Sequence, residues 1–93
     1  MLTIVNAIYQ DNYKIALKFN DEKNGIVDLE EFIFNTKFKP FKELKSIEKF
    51  KSFRLDYTLK WGEDLDLAPE YLYFKTFEND KELQMQFKEW GYK

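Results

Sequence analysis

The alternation of side chains over residues 53–61 constrains the fold more than any other feature of the sequence. Apolar residues occupy every second position, and polar residues lie between them. A period of two is typical of a strand that is buried on one face and exposed on the other. At roughly 3.3 Å per residue such a strand spans about 30 Å, which is long for a small domain, so a tight hairpin at Asp56 and Tyr57 is an alternative. The apolar positions are Phe53, Leu55, Tyr57, Leu59 and Trp61.

An antiparallel meander of three strands is predicted at the N-terminus. Residues 2–9 are rich in β-branched and aromatic side chains, residues 13–19 alternate, and a short polar turn separates the two segments. A polar run then ends in Asn24-Gly25, the standard pair for a turn that needs positive φ. We therefore expect the third strand to begin at Ile26.

Short helices are predicted in the middle of the chain. Asp28 can cap a helix that runs to Phe34, and Ser46 can cap a second one. The second helix is indicated by three apolar residues spaced for one helical face, namely Leu44, Ile47 and Phe50. Pro69 fits the first position of a further helix or turn.

The last stretch, residues 79–93, is predicted to be a helix. Asn79 lies three residues before Glu82, as in a capping box, and Gly91 is placed to end the helix. Phe87 and Trp90 lie on its apolar face. We expect this helix to dock on the sheet, and binding of a partner through Phe87 and Trp90 is the alternative.

A chain of 93 residues is predicted to form one domain, because two cores would each bury too little surface to offset the chain entropy. The expected class is α+β, with the N-terminal meander, short central helices, a further strand or hairpin and a C-terminal helix. We place the domain in residues 1–75 and regard residues 76–93 as a helical extension docked on it.

The sequence contains neither cysteine nor histidine. Disulfides, thiolate nucleophiles and the usual neutral-pH acid/base group are therefore excluded. We predict a protein that is not an enzyme, with no catalytic residues and no cofactor. No apolar run approaches the roughly 20 residues that span a bilayer, and the first residues do not resemble a signal peptide. These features predict a cytoplasmic protein with no membrane partner.

Charge is segregated along the chain although the net charge is only −2. Residues 37–54 hold seven cations against two carboxylates, for a net charge of +5, and residues 56–82 hold three cations against eight carboxylates, for −5. Such segments can steer a partner or pair with each other. The candidate partner-binding cations are Lys37, Lys39, Lys42, Lys45, Lys49, Lys51 and Arg54, and the candidate carboxylates are Glu63 and Asp64.

The cationic segment also suggests nucleic-acid binding. Its lysines alternate with phenylalanines, which could stack on bases while the cations contact phosphates. However, Arg54 is the only arginine of the chain, and arginine is the residue preferred for bidentate phosphate or base contacts. The phenylalanines also suit a core; they are Phe38, Phe41, Phe50 and Phe53.

Two groups of carboxylates resemble metal sites. The first is residues 20–31, which place oxygen ligands at the spacing of an EF-hand calcium loop. However, the segment before them alternates like a strand, and the chain has no second loop to pair with this one. A hairpin is therefore the preferred prediction. In the calcium alternative the ligands are Asn20, Glu22, Asn24, Asp28 and Glu31. The second group is Glu63, Asp64 and Asp66, for which we expect turn positions, with Asp66 accepting hydrogen bonds from backbone amides before Pro69.

A resemblance to a bacterial family, domain of unknown function 2442, is carried by TLKW at residues 58–61 followed by DLAPEYLY at residues 66–73. Members tend to show a strand ending in Trp, then an Asp, a Pro-Glu or Pro-Asp step and a Leu-Tyr pair. The chain departs from the pattern at residues 62–64, where many members have Pro-Asn-Gly. The matching positions are Trp61, Asp66, Pro69, Glu70, Leu72 and Tyr73.

The resemblance covers about residues 3–74 and implies a small α+β domain without established catalytic residues. Members occur alone, ahead of a helix-turn-helix domain, or beside a small toxin as its proposed antitoxin. The leading functional prediction is a protein-interaction module, antitoxin-like or inhibitory, whose partner is another protein. A nucleic-acid-associated regulator is the alternative, and a calcium-binding protein comes third. Strand edges and the C-terminal helix also favour a homodimer.

Overall fold

The predicted N-terminal meander is confirmed. The computed structural model describes all 93 residues. Its first three strands pair antiparallel in the order β1-β2-β3, and alternate residues of β2, such as Ile15, Leu17 and Phe19, are buried. The strands are β1 (Ile4–Tyr9), β2 (Lys14–Phe19) and β3 (Asn24–Asp28).

The turn between β2 and β3 lies earlier than predicted. Positive φ is supplied by Glu22, at +76°, and Gly25 lies inside β3. A Cβ atom added at Gly25 would lie 2.6 Å from Thr76 Cγ2. Glycine is therefore needed here for the close approach of a later helix, and the Asn24-Gly25 pair does not form the turn.

Three short helices connect the two sheets: α1 (Glu30–Asn35), α2 (Lys39–Lys42) and α3 (Ile47–Phe50), with a 3₁₀ turn at Glu43–Lys45. The predicted Ser46 cap of α3 is present, since Ser46 Oγ accepts a hydrogen bond from Lys49 N at 3.4 Å. For α1 the N-cap position is Leu29, and Asp28, one residue earlier, accepts a hydrogen bond at Oδ1 from Glu30 N at 3.0 Å.

The long strand predicted over residues 53–61 is wrong, and the hairpin alternative is correct. Strands β4 (Arg54–Leu55), β5 (Leu59–Trp61) and β6 (Leu65–Asp66) form a second antiparallel sheet. The protein measures 35 × 26 × 24 Å, so a straight strand of this length would span most of it. The turn also breaks the alternation, because Thr58 and Leu59 are both buried while Leu55 and Tyr57 are exposed.

The C-terminal part consists of α4 (Pro69–Phe77), a 3₁₀ turn at Lys81–Leu83 and α5 (Gln84–Glu89). Asp80, and not Asn79, caps the turn, since Asp80 Oδ1 accepts from Glu82 N at 2.9 Å. Helix α4 crosses the predicted boundary at residue 75, and Phe87 of α5 is fully buried in the common core. Residues 76–93 therefore complete the core of the domain.

Aromatic residues supply much of that core. Tyr73 of α4 packs edge-on against Phe19 of β2, with ring centroids 4.9 Å apart, and against Phe87 at 6.4 Å. Helix α4 thus covers the inner face of the N-terminal sheet, and α5 covers α4. None of the helices combines the length and apolar character that crossing a bilayer would require.

Candidate functional site

A cleft of about 410 Å³ lies between the central helices and the β5–β6 turn. We call it the Phe38 cleft. Leu44 and Trp61, which are buried residues of the core, form part of its wall, and Phe38 stands at its margin with 56% of its surface exposed. The lining residues are Phe38, Pro40, Glu43, Leu44, Lys49, Ser52, Trp61, Gly62, Asp64 and Leu65.

The Phe38 cleft brings the two charged segments of the chain together. Lys49 comes from the cationic segment and Asp64 from the anionic one, while Glu43 adds a second carboxylate. No ion pair within 4 Å joins these groups. The cleft therefore offers apolar surface bordered by free charges of both signs.

The other candidate cations lie outside this cleft and are all exposed. Lys51 Nζ pairs with Glu48 at 3.3 Å, and Lys45 Nζ lies 5.1 Å from the centre of the Phe34 ring. The remaining members, Lys37, Lys39, Lys42 and Arg54, have no carboxylate within 4 Å.

Sequence reasoning assigned Phe38 to the core together with the other phenylalanines of its segment, and the structure corrects this. Phe50 is buried and Phe41 is half-buried, whereas Phe38 is exposed. The sequence contains a local signal for this exposure. Phe38 lies between two lysines, shortly before Pro40, and does not belong to the apolar periodicity of any helix or strand. Phe87 is docked in the core, as preferred for the C-terminal helix, so its fully buried ring cannot contact a partner, and Trp90 is half-buried beside it.

The EF-hand alternative for residues 20–31 is wrong. An EF-hand needs one continuous loop that enters a helix, but residues 24–28 form β3 and pair in regular register with β2. Asn20 at the candidate first position holds the N-terminus, because its Oδ1 accepts from Thr3 N at 3.1 Å. The Asn20 side chain therefore makes a contact within the protein in place of a contact to calcium.

The second carboxylate group is dispersed along the β5–β6 hairpin. Glu63 and Asp64 occupy the turn after Gly62, which has φ of +67°, as expected for turn residues. Asp66 lies in β6 opposite Lys60, is exposed and makes no side-chain hydrogen bond, so the predicted amide contacts are absent. Nowhere do three carboxylates converge as metal ligands would.

The other positions of the signature hold the fold together. Trp61 Nε1 donates to Phe50 O at 2.8 Å in a buried contact that joins β5 to the end of α3. Pro69 occupies the first turn of α4, and Leu72 on the next turn is fully buried. Tyr73 Oη donates to Asp21 Oδ2 at 2.7 Å and thereby ties α4 to the β2–β3 turn.

A sequence model of the family described as protein of unknown function (DUF2442) matches residues 4–84. The chain belongs to this family. No curated protein and no solved structure matches it significantly. The DUF2442 match extends ten residues beyond the resemblance read from the signature and includes all of α4. Phe87 and Trp90 lie beyond it, so this chain completes its core with residues outside the matched region.

Trp61, the tryptophan of the signature, is expected to stabilise the fold through the hydrogen bond that its indole N–H donates. Trp61→Phe removes the donor to the buried Phe50 carbonyl and should lower the free energy of unfolding by about 1–3 kcal/mol. Trp90→Phe is the matched control, because the indole of Trp90 makes no hydrogen bond and is only half-buried. Urea denaturation of both variants measures the difference, and equal losses would show that the Trp61 hydrogen bond contributes nothing.

Alkaline pH should destabilise the protein through buried Tyr73 and two half-buried tyrosines. Burial and the hydrogen bond to Asp21 raise the pKa of Tyr73 above its ordinary value near 10. Burial likewise raises the pKa of Tyr71 and of Tyr92. Above pH 10 the unfolded chain releases these protons while the folded protein retains them, so the free energy of unfolding falls as pH rises.

Denaturation at pH 8 and pH 11 measures this loss for the wild type and for Tyr73→Phe. We expect the variant to lose less stability between the two values, because it lacks one of the raised groups. Tyr57→Phe, at an exposed position without a hydrogen bond from its hydroxyl, should behave like the wild type. An undiminished loss in Tyr73→Phe would contradict the assignment.

Proposed function

We propose that the chain is a non-enzymatic protein-interaction module that binds a segment of another protein in the Phe38 cleft. The observation that carries the proposal is the exposed ring of Phe38 beside a cleft with buried apolar residues in its wall. Exposed aromatic side chains next to such pockets are typical of interface hot spots. The volume of about 410 Å³ falls within the range of ligand-binding clefts, roughly 300–1,000 Å³.

The charges around the cleft indicate what kind of segment fits. Lys49 suits a carboxylate of the partner, while Glu43 and Asp64 suit a lysine or arginine. A fitting segment therefore has an apolar side chain that packs against the wall of the cleft. This side chain lies between residues of opposite charge, which pair with the charges at the border. Inhibition or neutralisation of the bound protein, as by an antitoxin, is the form of this function suggested by the family resemblance.

Affinity capture from the native host tests the proposal with three forms of the protein. The wild type and Met85→Ala should retain one stoichiometric protein partner, because Met85 is 70% exposed on α5 and lies away from the cleft. Phe38→Ala should lose at least tenfold in affinity, as expected for a hot-spot residue worth about 2 kcal/mol. Equal retention by Phe38→Ala would overturn the assignment of the cleft.

Nucleic-acid binding is the second candidate because Lys37, Phe38 and Lys39 are exposed in succession and neither lysine is paired with a carboxylate. Cations that flank an aromatic ring are the elements used to bind single strands. Glu43 and Asp64 in the adjoining cleft disfavour a polyanion, which is why protein binding ranks first. A gel shift at low salt decides: retardation that is lost in K37E/K39E supports this candidate, and no retardation removes it.

A further inference from the structure

The outer edge of β3 carries backbone groups that no other part of the chain pairs. Phe19 N donates to Lys23 O and Leu29 N donates to Tyr13 O, both at 2.9 Å, at the two ends of the β2–β3 ladder. Since residues of an antiparallel strand alternate in direction, the backbone groups of residues 25 and 27 face β2. Those of Asn24, Ile26 and Asp28 consequently face away from the sheet.

This edge lacks the features that usually prevent strands from pairing with other chains. Strand β3 follows β2 in continuous register over five residue pairs and contains no proline, lysine or bulge. The opposite edge of the sheet differs. In β1 the register shifts between Ile4 and Asn6, and Ile4 N donates to Tyr57 O of the β4–β5 turn at 2.9 Å.

The outer face of the same sheet is apolar along one row. Ile8, Ala16 and Ile26 lie side by side across β1, β2 and β3, and the two isoleucines are each 55% exposed. Helix α4 lies against the other face, where Thr76 approaches Gly25. The row therefore ends at the free edge of β3 with an exposed isoleucine.

We propose that β3 pairs with β3 of a second copy of this chain, antiparallel about a two-fold axis at Ile26. The two three-stranded sheets then form one continuous sheet, and the apolar row continues across the axis. An interface of this kind requires a surface that is complementary to itself. The sequence of β3 meets that requirement.

With Ile26 opposite its own copy, Asn24 lies opposite Asp28 of the second copy, so no two carboxylates face each other. Lys18 is the β2 neighbour of Asn24, and Lys14 is the β2 neighbour of Asp28. Each Asp28 thus lies beside Lys14 of its own copy on the neighbouring strand, and Lys18 of the second copy lies on the other side, two strands away. A shift of the register by two residues would instead place Glu22 opposite Asp28, which like-charge repulsion disfavours.

Cysteine substitution tests the axis directly, because the natural chain has no cysteine. Hydrogen-bonded antiparallel neighbours have Cα atoms about 5.5 Å apart, within the range that a disulfide bridges. Ile26→Cys should therefore form a covalent dimer of twice 11.4 kDa under mild oxidation. Ile8→Cys, with the same exposure at the other end of the row, should stay monomeric. Equal cross-linking of both variants would show face-to-face stacking and overturn the proposal.

Sedimentation over a range of protein concentrations tests the unmodified interface. The wild type should associate to a dimer, and Ile26→Lys should weaken that association at least tenfold by placing two lysines together at the axis. Ile8→Lys should associate like the wild type. Circular dichroism verifies that both lysine variants are folded, as their exposed positions predict.

A wild type that remains at 11.4 kDa at millimolar concentration would overturn the proposal. Phe38→Ala should dimerise normally, so this result and that of the cleft experiment are independent.

Discussion

Replacing Phe87 by alanine should lower the free energy of unfolding by about 3–5 kcal/mol, the usual cost of removing a buried aromatic ring. The ring is completely buried, and its centroid lies 5.1 Å from that of Phe74 and 6.1 Å from that of Trp90. Domains are stable by only about 5–15 kcal/mol, so this one change removes a large part of the total. The midpoint of urea denaturation measures the loss.

Met85→Ala is the control for the Phe87 prediction because it changes the same helix at a position that is 70% exposed. Its effect should stay within about 0.5 kcal/mol, as for other surface substitutions. If both variants kept wild-type stability, α5 would not be docked on α4 in solution. That result would also return Phe87 and Trp90 to the set of candidate partner contacts.

Gly25→Ala should lower the free energy of unfolding by about 1–3 kcal/mol through overpacking. The new methyl group would lie 2.6 Å from Thr76 Cγ2 and 3.1 Å from Phe77 Cε1. Thr76 cannot easily rotate away, because its Oγ1 donates to Leu72 O at 2.6 Å. Gly25 does not have positive φ, so alanine suits the backbone and the loss arises from these contacts alone. Thermal or urea denaturation checks the value.

A second substitution at Thr76 should rescue the first. Thr76→Ser removes the Cγ2 methyl group and keeps the hydroxyl that bonds Leu72 O. In the Gly25→Ala background it should restore more than half of the lost stability, whereas alone it should have little effect. A double-mutant cycle gives this coupling. Independent, additive effects of the two changes would contradict the proposed close contact between β3 and α4.

The elements of this fold with a regular period could be predicted from the sequence. Alternation identified β2, the β-branched and aromatic composition of residues 2–9 identified β1, and the polar side chains of Asp28 and Ser46 indicated where short helices begin. The errors occur where tertiary contact determines the local structure. Asn24-Gly25 has the composition of a turn but lies in a strand, because α4 passes directly against Gly25.

The candidate site could be predicted only in part. Segregated charge pointed to Lys49 and Asp64, and the structure places both at one cleft. For the exposed aromatic residue the only sequence signal was the local setting of Phe38 between two lysines and close to Pro40. The burial of Phe50 depends instead on a later part of the chain, since Trp61 packs against its ring.

Because the buried Phe87 lies near the end of the chain, the core of the protein is completed late in its synthesis. Strands β1–β3 are contiguous in sequence and pair locally, so they can form soon after they are synthesised. Their inner face is covered by Phe50 of α3, which packs against Tyr9 and Tyr13, and by α4 with the α5 residue behind it. At about 5–20 residues per second, translation from Asp28 to Phe87 takes roughly 3–12 s. During that interval a nascent chain presents an apolar sheet face to chaperones and to its neighbours, and the position of the last core residue determines how long the exposure lasts.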